Sequence, residues 1–256
     1  MNELKNTQPQ KSFNVLLIGD SCIDEYFIGT CDRLSPEAPV PVMKINNHYT
    51  TQGMASNVKN NFASLGIEVD FITNESAITK TRYIDQRSGQ HLLRVDDEPY
   101  LPEWSGHITH PLTNYDVVVI SDYDKGFITY EHVEIIIKEC HCPVFIDSKK
   151  TNLARFEGAF VKINNKEFSL AKTFCSNIIT TMGDQGARYN GKIYPAPKVG
   201  LVDVCGAGDT FLAALVYQYL MTSSVEEAIL FANKAGAVSV QHQGNYSPRL
   251  EEINGY

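Results

Sequence analysis

The chain of 256 residues carries 22 basic and 30 acidic side chains, a formal charge of −8 with neutral histidines. That balance argues against charge-driven binding to nucleic acid or to an anionic membrane surface. No apolar run approaches the roughly 20 residues of a membrane span, and the length suits one domain over residues 1–256.

The opening MNELKNTQPQKS is polar, lacks the apolar core of a secretory signal and reads as a leader before the first strand. Phe13 to Ile18 is an apolar strand ending at Gly19-Asp20. Val40 to Tyr49 reads as a strand with no helix before it, and Met54 to Leu65 as a helix closed by Gly66. Ile78 to Val95 reads as a hairpin around Ser88-Gly89. Val117 to Ile120, Val144 to Ile146, Phe160 to Ile163 and Ile178 to Thr180 are short apolar strands. Helices over Tyr130 to Glu139 and Lys166 to Lys172 fall between them. Strands apolar throughout and separated by helices mark a parallel sheet covered on both faces. Asn190-Gly191 is a two-residue hairpin turn, and two helices close the chain, Thr210 to Met221 and Val225 to about Gln241.

Six cysteines (Cys22, Cys31, Cys140, Cys142, Cys175, Cys205) show no framework spacing and read as reduced thiols of a cytoplasmic protein. Cys140-His141-Cys142 has no second cluster to complete a metal site and reads as a helix end before a strand. No G-x-x-x-x-G-K-[ST] loop occurs.

The chemistry concentrates in Asp203-Val204-Cys205-Gly206-Ala207-Gly208-Asp209-Thr210-Phe211. Small residues entering a helix let an anion approach N–H groups that lack partners and point along the helix dipole. Asp209 beside such a site suits accepting a hydroxyl proton, although Gly-Ala-Gly as a tight turn with Asp209 as its cap explains the same letters. Asp20 and Asp24 follow the first strand, where open α/β sheets bind ligands; either carboxylate could equally cap its loop. Asn164 and Glu167 fit a capping box as well as a ligand pair.

The string D-x-x-G-A-G-D-T-F resembles the PfkB/ribokinase family of sugar kinases, and further segments repeat that family's order. The resemblance implies a ribokinase-like α/β fold, a three-layer α/β/α sandwich with a mostly parallel central sheet. It also implies a small β-sheet lid with strands at about 26–50 and 78–96. It implies that Gly206, Ala207 and Gly208 cradle the transferring phosphoryl group and that Asp209 is the base. Asp24, Gly53 and Asn57 would hold the sugar; Gln52 stands where the family has a first glycine. Asn164, Glu167, Thr181, Gly183, Gly186 and Asn233 would serve ATP, with Glu167 acting through water on Mg2+. Asp203 would belong to a monovalent-cation site, K+ in such relatives.

Arg33-Leu34-Ser35-Pro36-Glu37-Ala38-Pro39-Val40-Pro41-Val42 resembles the heptose-7-phosphate kinases, as does Ser121-Asp122-Tyr123-Asp124-Lys125-Gly126. Arg33, Lys80, Arg82 and Arg94 are then candidates for the substrate's remote phosphate, or for ion pairs on an exposed lid. The substrates implied are ATP and D-glycero-D-manno-heptose 7-phosphate at its anomeric hydroxyl, with another hexose phosphate or ribose as alternatives. Lid edges could pair two subunits into a homodimer. Between Gly66 and the hairpin the chain is shorter than the family by about one βα unit, on the order of 25 residues. That shortening leaves open a non-catalytic nucleotide- or sugar-binding regulator.

Overall fold

The computed structural model describes residues 12–256; positions 1–11 of the polar leader lie outside the described residues. β1 (Val15–Gly19) is flanked by β4 (Val69–Thr73) and β7 (Val117–Asp122), followed outward from β7 by β8 (Val144–Ser148), β9 (Phe160–Asn164) and β10 (Ile178–Thr181). All these pairings are parallel. The antiparallel β11 (Ala187–Tyr189) and β12 (Lys192–Tyr194) complete a sheet of eight strands. Asn190 and Gly191, at φ 47° and 76°, make the tight turn between those two.

Alternate residues of the central strands feed two cores. Val15, Leu17, Val117, Val119 and Phe145 pack beneath α1 (Ala55–Ser64), α4 (Ala207–Thr222) and α5 (Val225–Ser239), while Leu16, Ile18, Val118, Ile120 and Ile146 pack towards α2 (Tyr130–Glu139). Burial on both faces explains why these strands are apolar throughout. At 25 cal/mol per Å2 each such side chain contributes roughly 1.5–3 kcal/mol. The short α3 (Asn165–Leu170) follows β9, and α6 (Leu250–Asn254) ends the chain. Among the described residues no helix is long and apolar enough to cross a membrane.

A second sheet stands apart, with order β3-β2-β5-β6. Its strands are β2 (Ser21–Leu34), β3 (Pro41–Met54), β5 (Ile78–Asp85) and β6 (His91–Asp97). It begins five residues earlier than the expected lid: β2 starts one residue beyond Asp20, so Asp24 sits on a strand and not in a loop. Met54, expected inside a helix, instead ends β3 at φ 58°, and the helix starts at Ala55.

The short stretch between Gly66 and the hairpin, to which the sequence reading assigned no strand, adds β4 to the edge of the large sheet. Val69 and Phe71 pack on one core and Ile72 on the other, so five residues suffice for a two-faced strand. Six free cysteines are present; Cys140 and Cys142 lie after α2 with Sγ atoms 3.0 Å apart.

Candidate active site

The carboxyl ends of β1, β7, β8 and β9, the start of α4 and the root of the small sheet converge on Asp209. Gly206 precedes α4 at φ 71°, a left-handed conformation that lets the chain turn into the helix. A Cβ on Gly206 would stand 2.6 Å from Asn57 Nδ2 and 2.7 Å from Asn245 Oδ1, so only glycine admits both amides. On Gly208, a Cβ would meet Lys162 Nζ at 3.0 Å. A buried ammonium, paired with Asp147 Oδ2 at 2.6 Å, therefore sits against the N-terminal turn of a 16-residue helix, and the helix start favours an anion there.

Asp209 is 4% exposed. Its Oδ2 accepts from Asn57 Nδ2 at 2.9 Å and its Oδ1 from the Tyr123 hydroxyl at 2.7 Å. Burial raises its pKa to about 6; Asp147 pushes the same way, and the two hydrogen bonds and Lys162 oppose it. A carboxyl group balanced near 6 is ionised at neutral pH yet basic enough to take a proton.

Asp24 lies on β2 with Oδ1 accepting from Arg82 Nη1 at 2.6 Å and Oδ2 from Asn245 Nδ2 at 2.9 Å. A Cβ on Gly53 would come within 2.2 Å of Asp24 Oδ2, so this glycine holds the facing strand against the carboxylate. Cys205 donates its thiol to Asn245 Oδ1 at 3.2 Å. Asp24, Asn245, Cys205, Gly206, Asn57 and Asp209 thus form a continuous wall.

Asn57, expected to present its amide to a sugar, is 1% exposed and gives it to Asp209. Asp20 is fully buried; Oδ2 accepts from Tyr123 N at 2.6 Å, Oδ1 has no partner, and burial with nearby Asp122 raises its pKa to about 6. Among the candidate phosphate ligands, Arg82 pairs with Asp24, Arg94 with Asp96 at 2.7 Å and Lys80 with Glu98 at 3.8 Å, whereas Arg33 is exposed near the end of β2. Three of the four are thus ion-paired in this state, but only Arg94 on an exposed face; Lys80 and Arg82 are buried.

Asn164 and Glu167 form a full capping box: Asn164 Oδ1 accepts from Glu167 N at 2.9 Å and Glu167 Oε2 from Asn164 N at 2.8 Å. Glu167 Oε1 also meets Lys149. Thr181 ends β10 with its hydroxyl 3.4 Å from Ile163 O. Gly183 is at φ 61° with open space around it, while a Cβ on Gly186 would meet Tyr194 O at 2.1 Å. Asn233 is 5% exposed and donates to Tyr194 O at 2.8 Å, tying α5 to β12. Asp203 uses both carboxylate oxygens on backbone, accepting from Cys205 N and Gly244 N at 2.9 Å each. It pins the loop before α4 to the turn after α5.

Residues 158–253 match the family described as pfkB family carbohydrate kinase. The bifunctional protein HldE of Nitratiruptor sp. is 32% identical over an alignment covering 94% of this chain and 64% of that protein. HldE of Vibrio parahaemolyticus is 31% identical over 94% of this chain and 62% of its own length. The match places residues 158–253 in the pfkB carbohydrate kinase family. The chain spans a little under two thirds of the length of these curated relatives. The ribokinase of Thermotoga maritima has the same fold, with TM-score 0.72 at 17% identity over 95% of this chain and 98% of that one. So does phosphofructokinase-2 of Escherichia coli in complex with potassium, with TM-score 0.72 at 15% identity over 96% and 98%.

The part matched to the pfkB family contains Asn164, Glu167, Gly206 to Asp209 and Asn233. Asp24, Asn57, Tyr123 and the small sheet lie outside it. Sequence reasoning did not find Asn245, Asp147 or Lys162, and gave Tyr123 no role of its own. Asn245 carried a faint signal, a Gly-Asn pair just past the last long helix. Lys162 carried another, a lone charge within an apolar strand.

Proposed function

We propose that the chain transfers the γ-phosphoryl group of ATP to a hydroxyl of a sugar phosphate, with Asp209 as general base. The observation that carries this is the placement of a buried carboxylate, raised to about 6, in the first turn of α4 beside Lys162 and Gly208. The acceptor hydroxyl gives its proton to Asp209 as its oxygen attacks the γ-phosphorus, and ADP leaves. The α4 N–H groups and Lys162 face the charge that spreads over the phosphoryl oxygens. Asp24 and Asn245 would hold sugar hydroxyls next to the base. Asn164, Glu167, Thr181, Gly183, Gly186 and Asn233 remain the candidates for the nucleotide side.

Mg2+ would supply charge neutralisation on the transferred phosphates. Among the described residues no three carboxylate, histidine or cysteine side chains converge on a metal. An ion carried by phosphate oxygens and water would need only an outer contact, which Glu167 would make through water. The orphaned, buried Oδ1 of Asp147 is a further acceptor for such water. Asp203 and neighbouring carbonyls are the candidates for K+.

The preferred acceptor is the anomeric hydroxyl of D-glycero-D-manno-heptose 7-phosphate, supported by the Arg33 to Val42 string and the HldE relatives. A second reading is a kinase for another hexose phosphate or ribose; the ion pairs that engage Arg82, Arg94 and Lys80 favour its ribose arm, which brings no remote phosphate. A coupled ADP-release assay across these sugars separates them: highest kcat/KM on heptose 7-phosphate supports the first, and preference for another sugar supports the second. Absence of ADP release across the panel with ATP binding retained supports a regulator. The exposed β6, with Leu92, Leu93 and Val95, is the edge through which the small sheet would pair in a homodimer.

A further inference from the structure

Tyr123 stands in the Ser121 to Gly126 string at the end of β7, where three parts of the molecule meet on it. Its backbone N–H donates to Asp20 Oδ2 at 2.6 Å, fixing the residue beside the end of β1. Two ammonium groups approach its ring, Lys80 from the small sheet at 5.6 Å and Lys149 from beyond β8 at 5.3 Å. Its hydroxyl donates to Asp209 Oδ1 at 2.7 Å. A phenol has one proton to give, and its hydrogen bond is stronger to a carboxylate than to a protonated carboxyl group, so this bond favours the ionised form of Asp209. Burial holds the phenol itself well above its ordinary pKa, so it remains a donor. With Asn57 on Oδ2, each oxygen of Asp209 receives one protein donor and keeps a lone pair for an incoming hydroxyl.

We infer that Tyr123 is a positioning residue for Asp209: its hydroxyl fixes Oδ1 and keeps the carboxylate in its proton-accepting form inside a buried site. This rests on the reading of Asp209 as base. The groups facing Asp209 are Asn57 from α1, Cys22 from β2, Asp147 and Lys149 from β8 and the loop after it, and Lys162 from β9. Asp147 opposes ionisation, and Lys162 and Lys149 support it. Tyr123 adds a donor with no charge of its own, so its contribution survives high salt where those of exposed charges fade.

The test is the titration of Asp209 in the ligand-free full chain, read from the carboxyl-carbon resonance of labelled aspartate and assigned with Asp209→Asn. Tyr123→Phe, which removes only the hydroxyl, should raise the midpoint by on the order of one pH unit. A fluorinated tyrosine at position 123, a stronger donor of nearly the same shape, should lower it. The acid limb of kcat/KM should move with the midpoint in both variants. Midpoints unchanged in the folded variants would overturn the inference. The titration needs no substrate, so its result stands even if no sugar is turned over, which would instead count against the kinase reading.

Discussion

Asn57 and Asp209, 152 residues apart in sequence, share a 2.9 Å hydrogen bond in which a buried amide holds a buried carboxylate. Asn57 opens the helix that follows the small sheet, and Asp209 opens the helix that follows the Gly206 turn. The bond therefore couples the side of the site that would receive the sugar to the base.

Replacing Asn57 with Ala removes a donor to a charged acceptor, an interaction of about 1.5–3 kcal/mol. The turnover number should fall roughly 10- to 150-fold, with ATP affinity by fluorescence titration unchanged. The acid limb of the pH–rate profile should also move up from about 6, because this donor lowers the Asp209 pKa.

Asp209 should weaken the fold at neutral pH. Its pKa is raised from 3.8 to about 6, first by burial. Its favourable contribution is therefore complete below about pH 4 and is lost as the pH rises through 6. Asp209→Asn should be more stable than the parent at pH 8, by up to roughly 3 kcal/mol, and no more stable at pH 4. Urea unfolding at the two values reads the difference.

Much of the central sheet was legible because strands buried on both faces are continuous apolar runs, as in Val117 to Ile120. β2 was placed from about residue 26 by the resemblance alone, because Ser21–Leu34 mixes acidic, aromatic, glycine and cysteine residues and shows no clean alternation. The short β4 escaped for another reason: its register is set by β1, some fifty residues earlier, and not by its own letters. In the site, Gly206 to Asp209 and Asp24 stood out as motif letters. Tyr123 and Asn245 did not, since their roles come from partners 86 and 221 residues away. Asn164 and Glu167 allowed two readings, and the capping box is formed.

Arg82 and Asp24 are 9% and 5% exposed as side chains and only 2.6 Å apart. Arg82→Met leaves a buried carboxylate without its cation, which costs about 3–5 kcal/mol. The paired change Arg82→Met with Asp24→Asn should recover part of that loss in urea unfolding. Both variants should raise the KM for sugar more than that for ATP.

Gly206→Ala places a methyl group against Asn57 and Asn245 at φ 71°. The strain is on the order of 1–3 kcal/mol, but the larger effect should be on chemistry, since the amide on Asp209 is displaced. Transfer should drop at least tenfold while the variant still unfolds cooperatively.

The most direct measurement is phosphoryl transfer by Asp209→Asn against the parent chain, with ATP, Mg2+ and the best acceptor of the sugar panel. Loss of about a thousandfold or more in kcat, with nucleotide binding intact, is the predicted result. A variant that retained turnover within a few fold of the parent would contradict the account.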